Sequence, residues 1–258
     1  MSRFVNMGNT CYINSILSIL SNISLETIYN NNNNSNLINN ILIDELKNIL
    51  ELSKNNDNII LPTRYIKFNS QLFKIKNKNN LMINEQCDST EYLIFILDMI
   101  SEVNLNIKNI FEISFDIYKN DKVEISQNNW IFYLNIPNIN LTLDECIYLN
   151  VKGYENPKGD IVSMSFKKFP QILIFQYNHL NMGVKLTEHL DLSKYNNDVP
   201  ITYKLFGIIN YVGNAINGHY FTYIKEGDKW YNYDDTSKNI IKNYSCKYNY
   251  CLFFKINE

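Results

Sequence analysis

The stretch Asn6-Met-Gly-Asn-Thr-Cys11-Tyr-Ile-Asn-Ser15 constrains this chain more than any other, because a short polar turn ends in a cysteine and runs directly into a helical stripe. Ile13, Ile16, Leu17 and Leu20 fall at the i, i+3, i+4, i+7 spacing of a helix buried on one face. Asn9 or Thr10 is placed to cap the first turn. A thiol at that end meets unpaired backbone N–H groups and the positive end of the helix dipole, which favour thiolate over thiol. Cys11 therefore reads as a nucleophile. The competing reading is a small apolar core residue, as lone cysteines on helices commonly are.

Composition narrows what such a nucleophile can serve. The 258 residues, 45% of them hydrophobic, suffice for one α+β enzyme domain with a sizeable core. A net charge of −2 argues against a nucleic-acid partner or a membrane surface, either of which calls for basic excess. The five cysteines, Cys11, Cys87, Cys146, Cys246 and Cys251, include no C-x-x-C pair, so neither a disulfide framework nor a zinc site is written in the usual spacing. The N-terminus has no apolar signal core, and no eighteen-residue apolar run follows. A soluble intracellular protein in a reducing compartment, cytoplasmic or nuclear, is the expectation.

Along the chain, residues 30–34 and 55–58 are polar loops, and residues 37–52 carry Leu42, Leu46, Ile49 and Leu50 at helical spacing. Residues 84–100, NEQCDSTEYLIFILDMI, predict a second buried helix through Leu93, Ile96, Leu97 and Ile100. Its Asp88-Ser-Thr-Glu91 start has the form of a capping arrangement; equally, Gln86, Asp88 and Glu91 can face a cationic extended peptide, and both roles are compatible. Residues 111–118, 130–136 and 172–177 read as strands, with a short helix over 142–148 whose Cys146 is assigned to packing.

The last third carries a second constellation. Residues 203–211 predict a strand, residues 213–218 a glycine-bounded loop, and HYFTYIK and KWYNY two strands joined at Glu226-Gly-Asp228, with Asp234-Asp235 following. In a hairpin folded at Gly227, His219 and Asp234 stand eight and seven residues from the turn, which predicts cross-strand neighbours. A carboxylate holding one imidazole nitrogen leaves the other to accept a thiol proton. His219 is preferred over His179 and His189, which lack such an acidic hairpin partner.

Both boxes resemble those of the ubiquitin-specific proteases, a family of papain-like cysteine peptidases. NMGNTCYINSILSIL is similar to the family's Cys box, and GHYFTYIK followed by KWYNYDD to its His box. Between them, EQCDSTEYL resembles the Gln-Gln-Asp box with Cys87 in place of the second Gln; FPQILIFQYN, VKLTEHLDLSKY and the terminal YCLFFKI are also similar to family stretches. The resemblance implies a single papain-like α+β catalytic domain over 1–258: a helical thumb (1–105) carrying Cys11, and an antiparallel β palm (106–258) carrying His219 and Asp234. It implies a deubiquitinase in which Cys11 attacks the carbonyl of ubiquitin's C-terminal glycine. His219 is then the base, Asp234 its orienter, Asp235 a secondary support, and Asn6 a donor to the oxyanion. Gln86, Asp88 and Glu91 match positions that bind ubiquitin's arginine-bearing tail; Gly218 matches a channel over the terminal glycines, with Tyr220 and Tyr223 as its walls.

The chain departs from the family in two places. Stretches where zinc-binding fingers would stand read ISFDIYKNDK and GYENPKGDI, without cysteine, so shortened fingers without zinc or other cofactor are expected; Tyr211 stands where a histidine is common. The expected partners are ubiquitin and ubiquitinated proteins, bound by a monomer whose early Cys11 leaves no upstream targeting domain. A degenerate ubiquitin-binding module and a peptidase for a ubiquitin-like modifier are the alternatives. The Asn-, Ile-, Lys- and Tyr-rich composition fits an AT-rich coding sequence, as in a protist or a large DNA virus acting in a host cell.

Overall fold

The computed structural model describes residues 1–23, 37–55, 57–78, 80–136, 141–177, 184–214 and 217–257. The polar run at 30–34, His179 and the loop positions 215 and 216 lie outside them. The chain forms two compact units, Met1–Ile107 with Ile209–Tyr244, and Lys108–Ile208 with Ser245–Glu258.

The first unit is built round α1 (Cys11–Ser21), whose eleven residues are all buried. Packed against it are α2 (Leu37–Asn55), α4 (Ser89–Ser101) and strand β11 (Gly218–Glu226). The stripe Leu42, Ile43, Leu46, Ile49 and Leu50 of α2 is buried as its spacing predicts, each such side chain contributing about 1.5–3 kcal/mol. Strand β1 (Arg3–Phe4) runs parallel to β2 (Ile59–Ile60).

Helix α3 (Thr63–Ile75) escapes the sequence reading because Asn69 interrupts its apolar stripe. The fold pairs that amide on both sides: Asn69 Nδ2 donates to Tyr65 O at 2.8 Å, and Tyr92 Oη donates to Asn69 Oδ1 at 3.2 Å. The Tyr65 and Tyr92 hydroxyls share a hydrogen bond at 2.7 Å; Tyr12 and Phe73 pack edge-on against Tyr92, and Phe95 against Phe73. In the same unit β13 (Ser237–Ile241), β12 (Lys229–Asp234) and β11 lie side by side, followed by residues 209–213 of β10 (Thr202–Gly213), whose first part belongs to the second unit.

The second unit contains α5 (Ile107–Phe111) and a sheet in the order β4 (Lys122–Asn129), β3 (Ile113–Lys119), β7 (Ile161–Lys168), β6 (Tyr154–Glu155). The cysteine-free stretches fall in this sheet, whose base is fastened by Phe115, Phe132 and Phe166, with ring centroids 5.2–5.4 Å apart. Strand β4 is mostly solvent-exposed and polar, and β7 is half polar with no fully buried residue, so no apolar period announced them. Beside β10 run β14 (Asn249–Ile256), β8 (Ile172–Tyr177) and β5 (Phe132–Leu134), and β9 (His189–Asp191) pairs with β10. The expected short helix is α6 (Leu143–Val151), which runs three residues past its expected end and is opened by a Thr142–Glu145 capping box; Cys146 is buried within it. No helix of the described residues is long and apolar enough to cross a membrane.

At the start of α4 only half of the expected capping arrangement forms. Asp88 Oδ1 accepts from Thr90 N at 2.7 Å, Thr90 Oγ1 at 2.6 Å and Glu91 N at 3.2 Å. Glu91 instead accepts from Asn80 Nδ2 at 2.7 Å. Asp88→Ala is therefore expected to lower stability by ~0.5–2 kcal/mol, with Asp88→Ser recovering most of it, in urea unfolding of the two variants.

Candidate active site

The sequence-predicted site residues all belong to the first unit. Gly8 and Asn9 adopt left-handed conformations, φ 88° and 57°, and turn the chain so that Thr10 precedes the first helical residue. Neither Asn9 nor Thr10 caps α1 with its side chain, contrary to expectation. Thr10 is used inside the turn: its Oγ1 accepts from Met7 N at 2.9 Å, while Thr10 N and Oγ1 donate to Asn6 Oδ1 at 3.1 and 3.2 Å. Asn9 Nδ2 donates to Asn84 O at 2.9 Å. The α1 terminus is thus left to Cys11, whose backbone N–H points out of the helix without an intrahelical acceptor.

On the hairpin, β11 and β12 pair with Glu226 opposite Lys229 and Thr222 opposite Tyr233. Continued, that register sets Asp234 opposite Phe221, so His219 and Asp234 are diagonal neighbours on one face rather than directly opposed. The turn is tighter than a fold centred on Gly227 implied, because Gly227 and Asp228 alone form it, with Gly227 at φ 59°. The diagonal is short enough for His219 Nε2 and Asp234 Oδ1 to meet at 2.6 Å. This leaves Nδ1 as the nitrogen that can serve Cys11. The Asp234 hydrogen bond, and after it the hydrogen bond to Cys11, push the His219 pKa up to about 10, against a burial that lowers it.

Asp235 takes a separate job. Extended neighbours point to opposite faces, but Asp235 sits at φ 47° and turns its carboxylate back toward α1. Asn6 Nδ2 donates to its Oδ2 and Asn14 Nδ2 to its Oδ1, each at 3.1 Å, while His219 Nε2 stands 4.0 Å away. Sequence reasoning passed over Asn14, although it lies three residues after Cys11 on the same helical face. The donor atoms of His219, Asp234 and Asp235 converge within 4.8 Å, as three metal ligands would; here they face an imidazole–carboxylate bond and two asparagine amides.

The positions assigned to a peptide tail separate. Gln86 Nε2 lies 3.9 Å from Cys11 Sγ. Glu91 is exposed, and Asp88 Oδ1 is taken up by its cap. Gly218 is required by the fold: a Cβ there would overlap the Tyr211 hydroxyl and ring. Tyr211 donates its hydroxyl to Asn214 O, packs its ring at 4.7 Å and a 47° tilt against the buried Tyr220, and is raised in pKa by burial, then by its neighbours Cys11 and Asp88. The residue in the histidine position thus roofs the site over Gly218. Tyr223 packs its ring against Phe221 at 5.5 Å.

The family model described as "Ubiquitin carboxyl-terminal hydrolase" matches residues 2–254. Ubiquitin carboxyl-terminal hydrolase 8 of Arabidopsis thaliana is 30% identical over 121 residues, 40% of this chain and 14% of the plant protein. Ubiquitin carboxyl-terminal hydrolase 17-like protein D of Mus musculus is 39% identical over 67 residues, 24% of this chain and 12% of that protein. The matched stretches therefore span a small part of these relatives' length. Among solved structures, a yeast SAGA DUB module superimposes with a TM-score of 0.80 at 20% identity, covering 100% of this chain and 69% of the other. A Ubp8/Sgf11/Sus1/Sgf73 DUB module bound to monoubiquitin gives 0.76 at 21% identity, with the same coverage. At these identities the likeness speaks for the fold, mixed α+β with antiparallel sheets.

The raised His219 value has a defined sign. Folding favours imidazolium, so the stability it adds is fully present below the ordinary value of 6.5 and disappears as pH rises through about 10. Replacing Asp234 by Ala removes the main cause. The His219 imidazole titration, followed by NMR, is expected to move from near 10 toward neutrality, with a loss of ~10²–10⁴ in kcat/KM at a fixed neutral pH. An unmoved titration means that another acid holds His219.

Proposed function

Because this chain belongs to the ubiquitin carboxyl-terminal hydrolase family, among the ubiquitin-specific proteases, we propose that it is a thiol-dependent deubiquitinase cleaving the peptide or isopeptide bond after ubiquitin's C-terminal glycine. The observation that carries this reading is the relay Cys11–His219–Asp234, closed by the 2.6 Å imidazole–carboxylate bond.

In this reading His219 Nδ1 takes the Cys11 proton, and the thiolate adds to the glycine carbonyl, forming the C–S bond and placing the carbonyl electron pair on oxygen. The second N–H of Asn6 Nδ2, whose first is held by Asp235, donates to that oxyanion together with the Cys11 backbone N–H. As the pair returns from oxygen, the C–N bond breaks and His219 passes its proton to the leaving lysine amine. Water, deprotonated by the same imidazole, then opens the thioester and the sulfur leaves, reprotonated by His219. Asp234 keeps the ring oriented through both halves. Glu91 on the exposed start of α4 offers a carboxylate to the arginine-bearing tail, and Gly218 beneath Tyr211 and Tyr220 bounds the path of the two terminal glycines. A formed relay speaks against a degenerate binding module.

Ubiquitin carrying a C-terminal electrophile is expected to add once to the wild-type protein and not at all to Cys11→Ala, read by intact mass. Absence of the adduct on wild type, or its persistence on Cys11→Ala, overturns the assignment. Adduct formation only with a ubiquitin-like modifier reassigns the substrate. Asn6→Ala is expected to keep ubiquitin affinity and lose ~10²–10³ in kcat; loss confined to affinity removes Asn6 from the oxyanion role.

A further inference from the structure

We propose that Gln86 is a catalytic residue, a side-chain donor to the oxyanion formed at Cys11 alongside Asn6, and not chiefly a contact for the substrate's tail. The inference rests on the hydrolase reading above and deepens it.

The Gln86 amide nitrogen is 3.9 Å from Cys11 Sγ. The oxyanion forms on the atom bonded to the carbon that Sγ attacks, so a donor already beside the sulfur has only a short distance to follow the charge. Asn6 alone is a poor sole side-chain donor. Its oxygen is held by Thr10 N and Oγ1, and one of its two amide hydrogens goes to Asp235. That leaves a single side-chain N–H beside the Cys11 backbone N–H, and an oxyanion has a lone pair for a third donor.

The loop carrying Gln86 is pinned where the amide must be held. Met82 N donates to Cys87 Sγ at 3.1 Å, and Cys87 Sγ donates to Met82 O at 3.2 Å and to Glu85 O at 3.5 Å. Asn9, two residues before the nucleophile, donates to Asn84 O, and Asp88 anchors the other end as the cap of α4. The buried Cys87 thiol, in the second-Gln position of the resembled box, is thus a clasp that sets the adjacent Gln86. With the backbone held on both sides of Gln86, its amide is presented to Cys11 from a fixed Cα, as a preorganised donor requires.

The test uses the full chain and three readouts: kcat and KM on ubiquitin bearing a C-terminal fluorogenic amide, and the rate of Cys11 alkylation by iodoacetamide, which forms no oxyanion. Gln86→Ala is expected to lower kcat by about 10²-fold with KM and alkylation unchanged. Gln86→Glu, of the same length but without the N–H donors, is expected to lose at least as much and carries the test if the alanine variant unfolds. A rise in KM with kcat preserved makes Gln86 a tail contact and overturns the proposal. A parallel fall in alkylation places its effect on the sulfur and overturns it likewise. Wild-type protein that turns over no ubiquitin substrate overturns the hydrolase reading and this inference together, an outcome separate from either variant result.

Discussion

Burial of α1 along its whole length is the constraint on which the site depends. A helix covered on every side cannot slide or rotate without breaking packing, so Cys11, its first residue, is held where α1 meets β11. The burial also imposes a demand, since Asn14, Ser15, Ser18 and Ser21 lie inside with the apolar stripe. Ser15 and Ser21 donate back to Tyr12 O and Leu17 O, and Asn14 donates to Phe4 O and to Asp235. Buried polar groups need partners, and here one of those partners belongs to the active-site hairpin. At the far end, Asn22 donates to Lys225 O, tying α1 to β11 a second time.

Two adjacent acids on β12 and just beyond it then divide the work. Asp234, still in the strand, meets His219 across the hairpin; Asp235, in a left-handed conformation, turns toward α1 and gathers Asn6 and Asn14. A continuous strand would have sent the second carboxylate to the opposite face. One local change of backbone conformation thus lets a single dipeptide brace His219 on one side and Asn6 and Asn14 on the other.

The sheet β4-β3-β7-β6 shows how a region lacking metal-ligand cysteines is held. Its antiparallel ladder is anchored by Phe115, Phe132 and Phe166, and the aromatic chain continues through Phe175 to Phe254. Tertiary packing of rings here supplies cohesion without local cross-links.

The sequence by itself determined the elements that repeat a period: α1, the stripe of α2, α4, the apolar run of β8, and the two strands around Gly227, because burial on one face leaves a spacing that can be read. It also brought forward Cys11 and His219, since few residue types carry that chemistry. What it left undecided has a common cause in contacts distant along the chain. Helix α3 was hidden because Asn69 is satisfied by Tyr65 and Tyr92, a pairing no window of sequence contains. The separate duties of Asp234 and Asp235 depend on one left-handed residue and on amides more than two hundred positions away. Gly218 is explained by the ring of Tyr211, and Gln86 by the closeness of two loops to one sulfur atom. Periodicity is local and survives in sequence, whereas a hydrogen-bond partner or an excluded Cβ exists only once the tertiary structure has brought its atoms together.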